Sequence, residues 1–124
     1  QSGKGENFKP MKTKIYHNPR CSKSRETLTL LKEAKEDIEI VEYLNDIPSK
    51  TELKAILKQL GLKPEQLLRK GEAIFKAQFK GKTLSDEAWI EAMVANPKLI
   101  ERPIVIKNGK AALGRPPSRV FDIL

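Results

Sequence analysis

The period of hydrophobic and polar positions changes several times along the chain, and each change marks an element. "KTKIYHN" (12–18) reads as a short strand running into a loop that Pro19 closes. From Ser22 to about Lys35 the period is helical: Leu28, Leu31 and Lys35 lie one turn apart, with Leu30 and Ala34 beside them. "IEIVEYL" (38–44) then sets Ile38 and Ile40 against Glu39 and Glu42, as a second strand would. Strand, helix and strand in this order predict a parallel pair joined by a right-handed crossover.

The middle of the chain is helical. Ser49 followed by Glu52 forms a capping box, and Leu53, Ile56, Leu57 and Leu60 make one apolar stripe that Gly61 ends. Pro64 opens a short helix through Leu67 and Leu68, stopping near Gly71, and residues 72–79 suit a further helical turn. Ser85 caps a third clear helix with Trp89, Ile90, Met93 and Val94 inward, and Asn96-Pro97 breaks it. "RPIVIKNGKAALG" (102–114) then predicts a hairpin, with Asn108-Gly109 suited to a type I′ turn, and "RPPSRVFDIL" closes the chain as a short helix. The order β-α-β, helical block, β-β-α is α/β. A thioredoxin-like sheet with a helical insertion between the βαβ and ββα halves fits it, as would other small α/β folds.

Composition narrows the picture. A chain of 124 residues suits one domain that buries a core without disulfides or metals. One cysteine cannot close an internal disulfide, and one cysteine with one histidine cannot build a tetrahedral zinc site within the chain. The polar opening "QSGKGENFKP" (1–10) reads as an expression remnant or disordered tail, with Met11 the start of a single domain over 11–124. It has no signal-peptide character, and no run elsewhere is long enough to span a membrane, so the expected home is a reducing cytoplasm. The formal net charge is +8, and setting the first ten residues aside lowers it by only one. The lysines mostly alternate with glutamates on amphipathic helices, aromatics are few, and no RNP-like or zinc-finger pattern is present, which argues against a nucleic-acid partner. Arginines gathered around a small anion account better for the basic balance.

"YHNPRCSKSR" (16–25) holds the one cysteine. Cys21 falls where a strand and loop meet the start of a helix, among unpaired backbone N–H groups at the positive end of the helix dipole. Arg20, Lys23 and Arg25 add cations, and all of these favour thiolate. The same N–H groups suit an anionic substrate. The alternative is a chance surface thiol or a small core residue, and burial in a core fits "NPRCSKS" poorly. Ser24 stands where a redox CxxC motif has its second thiol: its hydroxyl can donate a hydrogen bond to the thiolate, cap the first helical turn, or both. His17 can tune the thiolate or move a proton, and equally can be bonded only to its own loop. "GKT" at 81–83 is not a phosphate-binding loop, because Lys76 stands where that motif needs glycine. Pro103 starts a strand, where its missing N–H is tolerable; trans is its default and cis would mark a functional turn.

"IYHNPRCSKSRETL", "LLRK", "ERPIVI" and "GRPPSRV", in this order, resemble the arsenate reductase (ArsC-like) family of the thioredoxin superfamily, from about Lys12 to Leu124. The resemblance implies a thioredoxin-like fold with a helical insertion and a nucleophilic Cys21. His17, Ser24 and Arg25 match the signature loop. Arg69, Arg102 and Arg115 match the arginines that bind the oxyanion, with Pro103 the cis proline after Arg102. It also implies a mechanism: Cys21 attacks a small oxyanion, glutathione attacks the adduct as co-substrate, and glutaredoxin removes the glutathione. No bound cofactor or metal, no nucleic acid and no membrane is expected, and the protein is expected to be a monomer. The chain stops at Leu124 and looks closer to a short subgroup of the family. Two other readings belong to different classes. Spx-type regulators share the fold and the RPI strand but bind RNA polymerase and usually carry CxxC, whereas HNP and CxxS here favour the enzyme branch. A non-catalytic glutathionylated adaptor is the third.

Overall fold

The computed structural model describes residues 12–124, so the reading of residues 1–10 and of Met11 lies outside it. In chain order it contains β1 (Thr13–Tyr16), α1 (Ser22–Glu33), β2 (Ile38–Val41), α2 (Lys50–Leu60), a 3-10 turn (Pro64–Leu67), α3 (Ala73–Gln78), α4 (Asp86–Ala95), a second 3-10 turn (Pro97–Leu99), β3 (Ile104–Lys107), β4 (Lys110–Leu113) and a closing 3-10 helix (Pro117–Asp122). The sheet order is β2-β1-β3-β4, with β1 parallel to β2 and antiparallel to β3, and β3 antiparallel to β4. This is the thioredoxin-like α/β arrangement with its helical insertion between the two halves.

Local chemistry accounts for most boundaries. Ser49 and Ser85 cap α2 and α4, their hydroxyls accepting the N–H groups of Glu52 and Ala88. Only half of the expected capping box forms, because the Glu52 carboxylate instead accepts the Tyr16 hydroxyl across the core edge. Gly61 ends α2 at φ 70, a left-handed conformation that glycine adopts without a Cβ clash. Asn108 and Gly109, at φ 52 and 77, give the β3–β4 hairpin the two positive φ angles of a type I′ turn.

Alternation in the strands divides the core between the two faces of the sheet. Tyr16 and Ile104 face the helical block, against Tyr43, Leu53, Trp89 and Met93. Ile15 and Val105 face the other way, against Leu31 of α1 and Val120 of the closing helix. Two expectations from the pattern change. Ile40 pairs with Ile15 and so points to that second face, yet it is half exposed, because β2 is an edge strand at the margin of the cover. The inward stripe of α1 is Ser24, Thr27 and Leu31, while Ala34 and Lys35 are exposed. Two small hydroxyl residues occupy the inner face of α1 because the helix lies close to the strand ends.

Gly114 shows how close. A Cβ built there would lie 2.5 Å from Thr27 Oγ1 and 2.8 Å from Pro103 Cγ. The Gly114 N–H also donates to the Pro103 carbonyl at 3.0 Å. Neither a buried threonine nor a proline ring can swing aside, so a methyl group forces the backbone to shift. Gly114→Ala is expected to destabilise the fold by about 1–3 kcal/mol. Urea denaturation checks this as a lower midpoint with an unchanged slope.

Candidate active site

The loop after β1 is built by short-range hydrogen bonds. His17 N–H donates to Val41 O at 2.8 Å, continuing the β1–β2 pairing by one residue. Asn18 then turns the chain: its side-chain Oδ1 accepts Arg20 N–H and its carbonyl accepts Cys21 N–H, both at 3.0 Å. Cys21 arrives at the N-cap of α1 with extended backbone, φ −95 and ψ 124. Its sulfur stands where a capping oxygen usually does.

No regular side-chain cap bond forms to this larger atom, but the amides of the first turn still act on it. Partial burial pushes the Cys21 pKa up. The Ser24 N–H, the Arg102 guanidinium and the Lys23 N–H together outweigh burial, and the net shift is downward. The sulfur remains partly exposed, so an acidic thiol is also a reachable one.

Ser24 acts on the thiolate through its backbone and not through its hydroxyl. The Ser24 side chain is fully buried and turned toward the loop: its Oγ accepts Asn18 N–H at 3.0 Å and meets His17 Nδ1 at 2.6 Å. Ser24 Oγ and His17 Nδ1 share one hydrogen bond whose direction is set by the His17 tautomer. Burial lowers the His17 pKa; Glu42 opposes this and Lys32 and Arg25 reinforce it. His17 therefore ties the loop to α1, and its ring also lines the cleft described below. The expected hydroxyl–thiolate bond is thus replaced, because a fully helical residue at the third position of α1 points its side chain inward.

The arginines come from separate segments. Arg115 Nη1 lies 4.0 Å from Cys21 Sγ and donates to the Arg102 carbonyl at 3.0 Å. The Arg102 side chain is mostly buried at 14 % exposure, interacts with the Cys21 sulfur, and keeps its Nε buried with no acceptor. The Arg102–Pro103 peptide is cis, as is Arg115–Pro116, which the sequence did not suggest. Arg69 approaches from the helical block and is held to the segment before β3 by a backbone bridge, with Arg69 N–H donating to Leu99 O at 2.7 Å and Glu101 N–H to Leu67 O at 2.9 Å. Its guanidinium meets Glu101 at 2.6 Å and Glu72 at 3.4 Å. Arg25 instead donates to the Pro19 carbonyl at 3.0 Å, bracing the loop from outside.

Three participants were not found from sequence. Glu72 and Glu101 interleave with the arginines, and their proximity in sequence to Arg69 and Arg102 was the available signal. Tyr43 is buried beside the cluster, its pKa pushed up to about 12 by burial against the opposing pull of Arg102 and Arg69. A cleft of about 560 Å³ opens next to the loop, lined on one side by His17 to Arg20 and on the other by Glu42, Glu72, Lys98 and Arg102. Among the described residues no group of three His, Cys, Asp or Glu side chains could hold a metal ion, and no helix is long and apolar enough to cross a membrane.

A thioredoxin-like sheet with one thiol at the N-terminus of its first helix, set among arginines and beside a cis proline, defines a class of thiol-chemistry domains. Within it the chain belongs to the ArsC family, whose profile matches residues 16–123. It is 52% identical over 113 residues to the uncharacterized protein YfgD of Escherichia coli K12, covering 90% of this chain and 95% of that one. It is 42% identical over 113 residues to an arsenate reductase of Neisseria meningitidis serogroup A, covering 90% and 97%. Among solved structures, the arsenate reductase from Vibrio cholerae superposes with a TM-score of 0.89 at 47% identity, covering 94% of this chain and all of that one.

Two outcomes follow from the electrostatics. The pH midpoint of Cys21 alkylation by iodoacetamide is expected below the ~8.5 of free cysteine, and Arg102→Gln is expected to raise it. The second concerns His17. A lowered folded pKa means the unfolded chain binds the His17 proton more tightly. The stability due to the neutral ring is complete above ~6.5 and is lost as pH falls through that value toward the folded pKa. Between pH 7 and 5.5 the urea midpoint of the wild type is expected to fall more steeply than that of His17→Gln.

Proposed function

We propose that the chain is an ArsC-like reductase in which Cys21 attacks a small oxyanion and glutathione with glutaredoxin returns it to the thiolate. The observation that carries this reading is the Arg102 guanidinium, whose buried Nε has no acceptor while it faces a cysteine held toward its ionised form. A buried N–H without an acceptor is costly, and the same guanidinium lines the cleft, where an anion would meet its charge. The names of the relatives point to arsenate as that oxyanion. In this reading Arg69 completes the cluster and Arg25 serves the substrate by bracing the loop that presents Cys21.

The chemistry is covalent. The Cys21 thiolate forms a bond to arsenic and one arsenate hydroxyl, protonated by a solvent or buffer acid, leaves as water, while Arg102 and Arg115 offset the charge on the remaining oxygens. The glutathione thiolate then attacks the Cys21 sulfur. The sulfur–arsenic bond breaks with its electron pair passing to arsenic, which is reduced from the +5 to the +3 state. A Cys21–glutathione disulfide remains, and glutaredoxin thiolate takes the glutathionyl group and releases Cys21. An external thiol is required because Cys21 is the chain's one cysteine. Glutathione is thus a co-substrate and not a bound cofactor, and a monomer in a reducing cytoplasm suffices.

The test is arsenate reduction coupled to glutathione and glutaredoxin. The wild type is expected to turn over, Cys21→Ser to be inactive, and Arg102→Gln to lose about 100-fold in kcat/KM. Turnover sustained by a thioredoxin system without glutathione would overturn the coupling.

A further inference from the structure

Glu101 stands among the arginines of the Cys21 site. Its Oε1 lies 2.6 Å from Arg69 Nη1, accepts the backbone N–H of Arg102 at 3.1 Å, and lies 3.7 Å from Arg115 Nη1. That same Arg115 nitrogen is the one 4.0 Å from Cys21 Sγ. One carboxylate oxygen therefore gathers donors from separate segments, as an oxygen of a bound oxyanion would. We propose that Glu101 is a resident anion that an incoming oxyanion must displace, so that Glu101 sets how tightly and how selectively the site takes oxyanions. The proposal rests on the oxyanion reading given above.

Charge is the first reason. Arg69, Arg102 and Arg115 bring three positive charges, and Glu72 and Glu101 lie directly among them, with Arg20, Lys98 and Glu42 on the walls of the adjoining cleft. A divalent oxyanion brought among these arginines would meet two carboxylates at short range in a partly buried space, which is unfavourable while both stay in place. One carboxylate has to withdraw. Glu72 reaches Arg69 Nε at 3.4 Å and Arg102 Nη1 at 4.0 Å but makes no ion pair with Arg115. Glu101 alone of the two reaches Arg115, whose Nη1 lies 4.0 Å from the sulfur, and its side chain is partly exposed, with water to turn into.

Donor geometry is the second. With Glu101 in place, Arg102 Nε still lacks an acceptor, so a carboxylate satisfies only part of the cluster. A tetrahedral anion offers more acceptor oxygens than one carboxylate and can take the donors Glu101 gives up together with others of the same guanidinium groups, which is how a ligand outcompetes a resident group. The rival role, a clamp that orients the arginines, predicts the opposite sign when the charge is removed.

The probe is inorganic arsenate, titrated at constant ionic strength against the rate of Cys21 alkylation by iodoacetamide, each protein scaled to its own rate without arsenate. Glu101→Gln is expected to lower the half-protecting concentration by about tenfold, within the range of competition between two groups for one set of contacts. In the coupled assay its KM for arsenate is expected to fall in proportion while kcat does not rise. Glu101→Asp keeps the charge but draws it back from Arg115, and is expected to fall between the two. If Glu101→Gln fails to fold, Glu101→Asp decides. Protection of the wild type with no gain in the variant overturns the displacement proposal alone. Protection of neither protein overturns the oxyanion reading and the proposal with it.

Discussion

The register that pairs Tyr16 with Ile104, and Ile104 in turn with Leu113, is the constraint on which the site depends. In an antiparallel pair the end of one strand meets the beginning of the next. The loop leaving β1, the segment entering β3 and the segment leaving β4 therefore share one edge of the sheet. Cys21, Arg102 and Arg115 lie just beyond those paired residues, and β2, whose Val41 also pairs with Tyr16, delivers Glu42 and Tyr43 to the same edge. A slip of one residue would turn the side chains of β1 to the opposite faces and disperse the cluster.

Packing around that edge serves the register. Thr27, Pro103 and Gly114 meet so closely that α1 and the start of β3 cannot separate or slide without opening a gap. The helix thereby holds its first turn, and with it the amides that favour the Cys21 thiolate, against the segment carrying Arg102. Stability and chemistry are coupled here through shape. The buried Ser24 and His17 pair extends the same bracing to the loop, and the loop's outer side is held by Arg25.

Electrostatically, carboxylates are interleaved with the arginines of the site. Arg69, Arg102 and Arg115 each have a carboxylate within ion-pair distance. Guanidinium groups kept at short range need such partners to remain partly buried together. Away from the site the exposed Lys50 and Lys54 are matched in the same way by Glu87 and Glu91.

The sequence by itself determined the elements, because their signals are local. Serine caps, Gly61, Asn108-Gly109 and the change from period two to period 3.6 each act within a few residues. The thiolate-favouring place of Cys21 followed from the same local logic, and the association of the distant arginines with it came from family resemblance. What local pattern could not reach was side-chain direction at the strand ends. That Ser24 turns its hydroxyl to His17, that Glu52 leaves its capping box for Tyr16, and that Ile40 stays half exposed depend on which neighbour packing brings within reach. Only the tertiary structure decided that Glu101 would meet Arg69 and Arg115 and that Glu72 would meet Arg102, because charges far apart in the chain choose partners by distance in space.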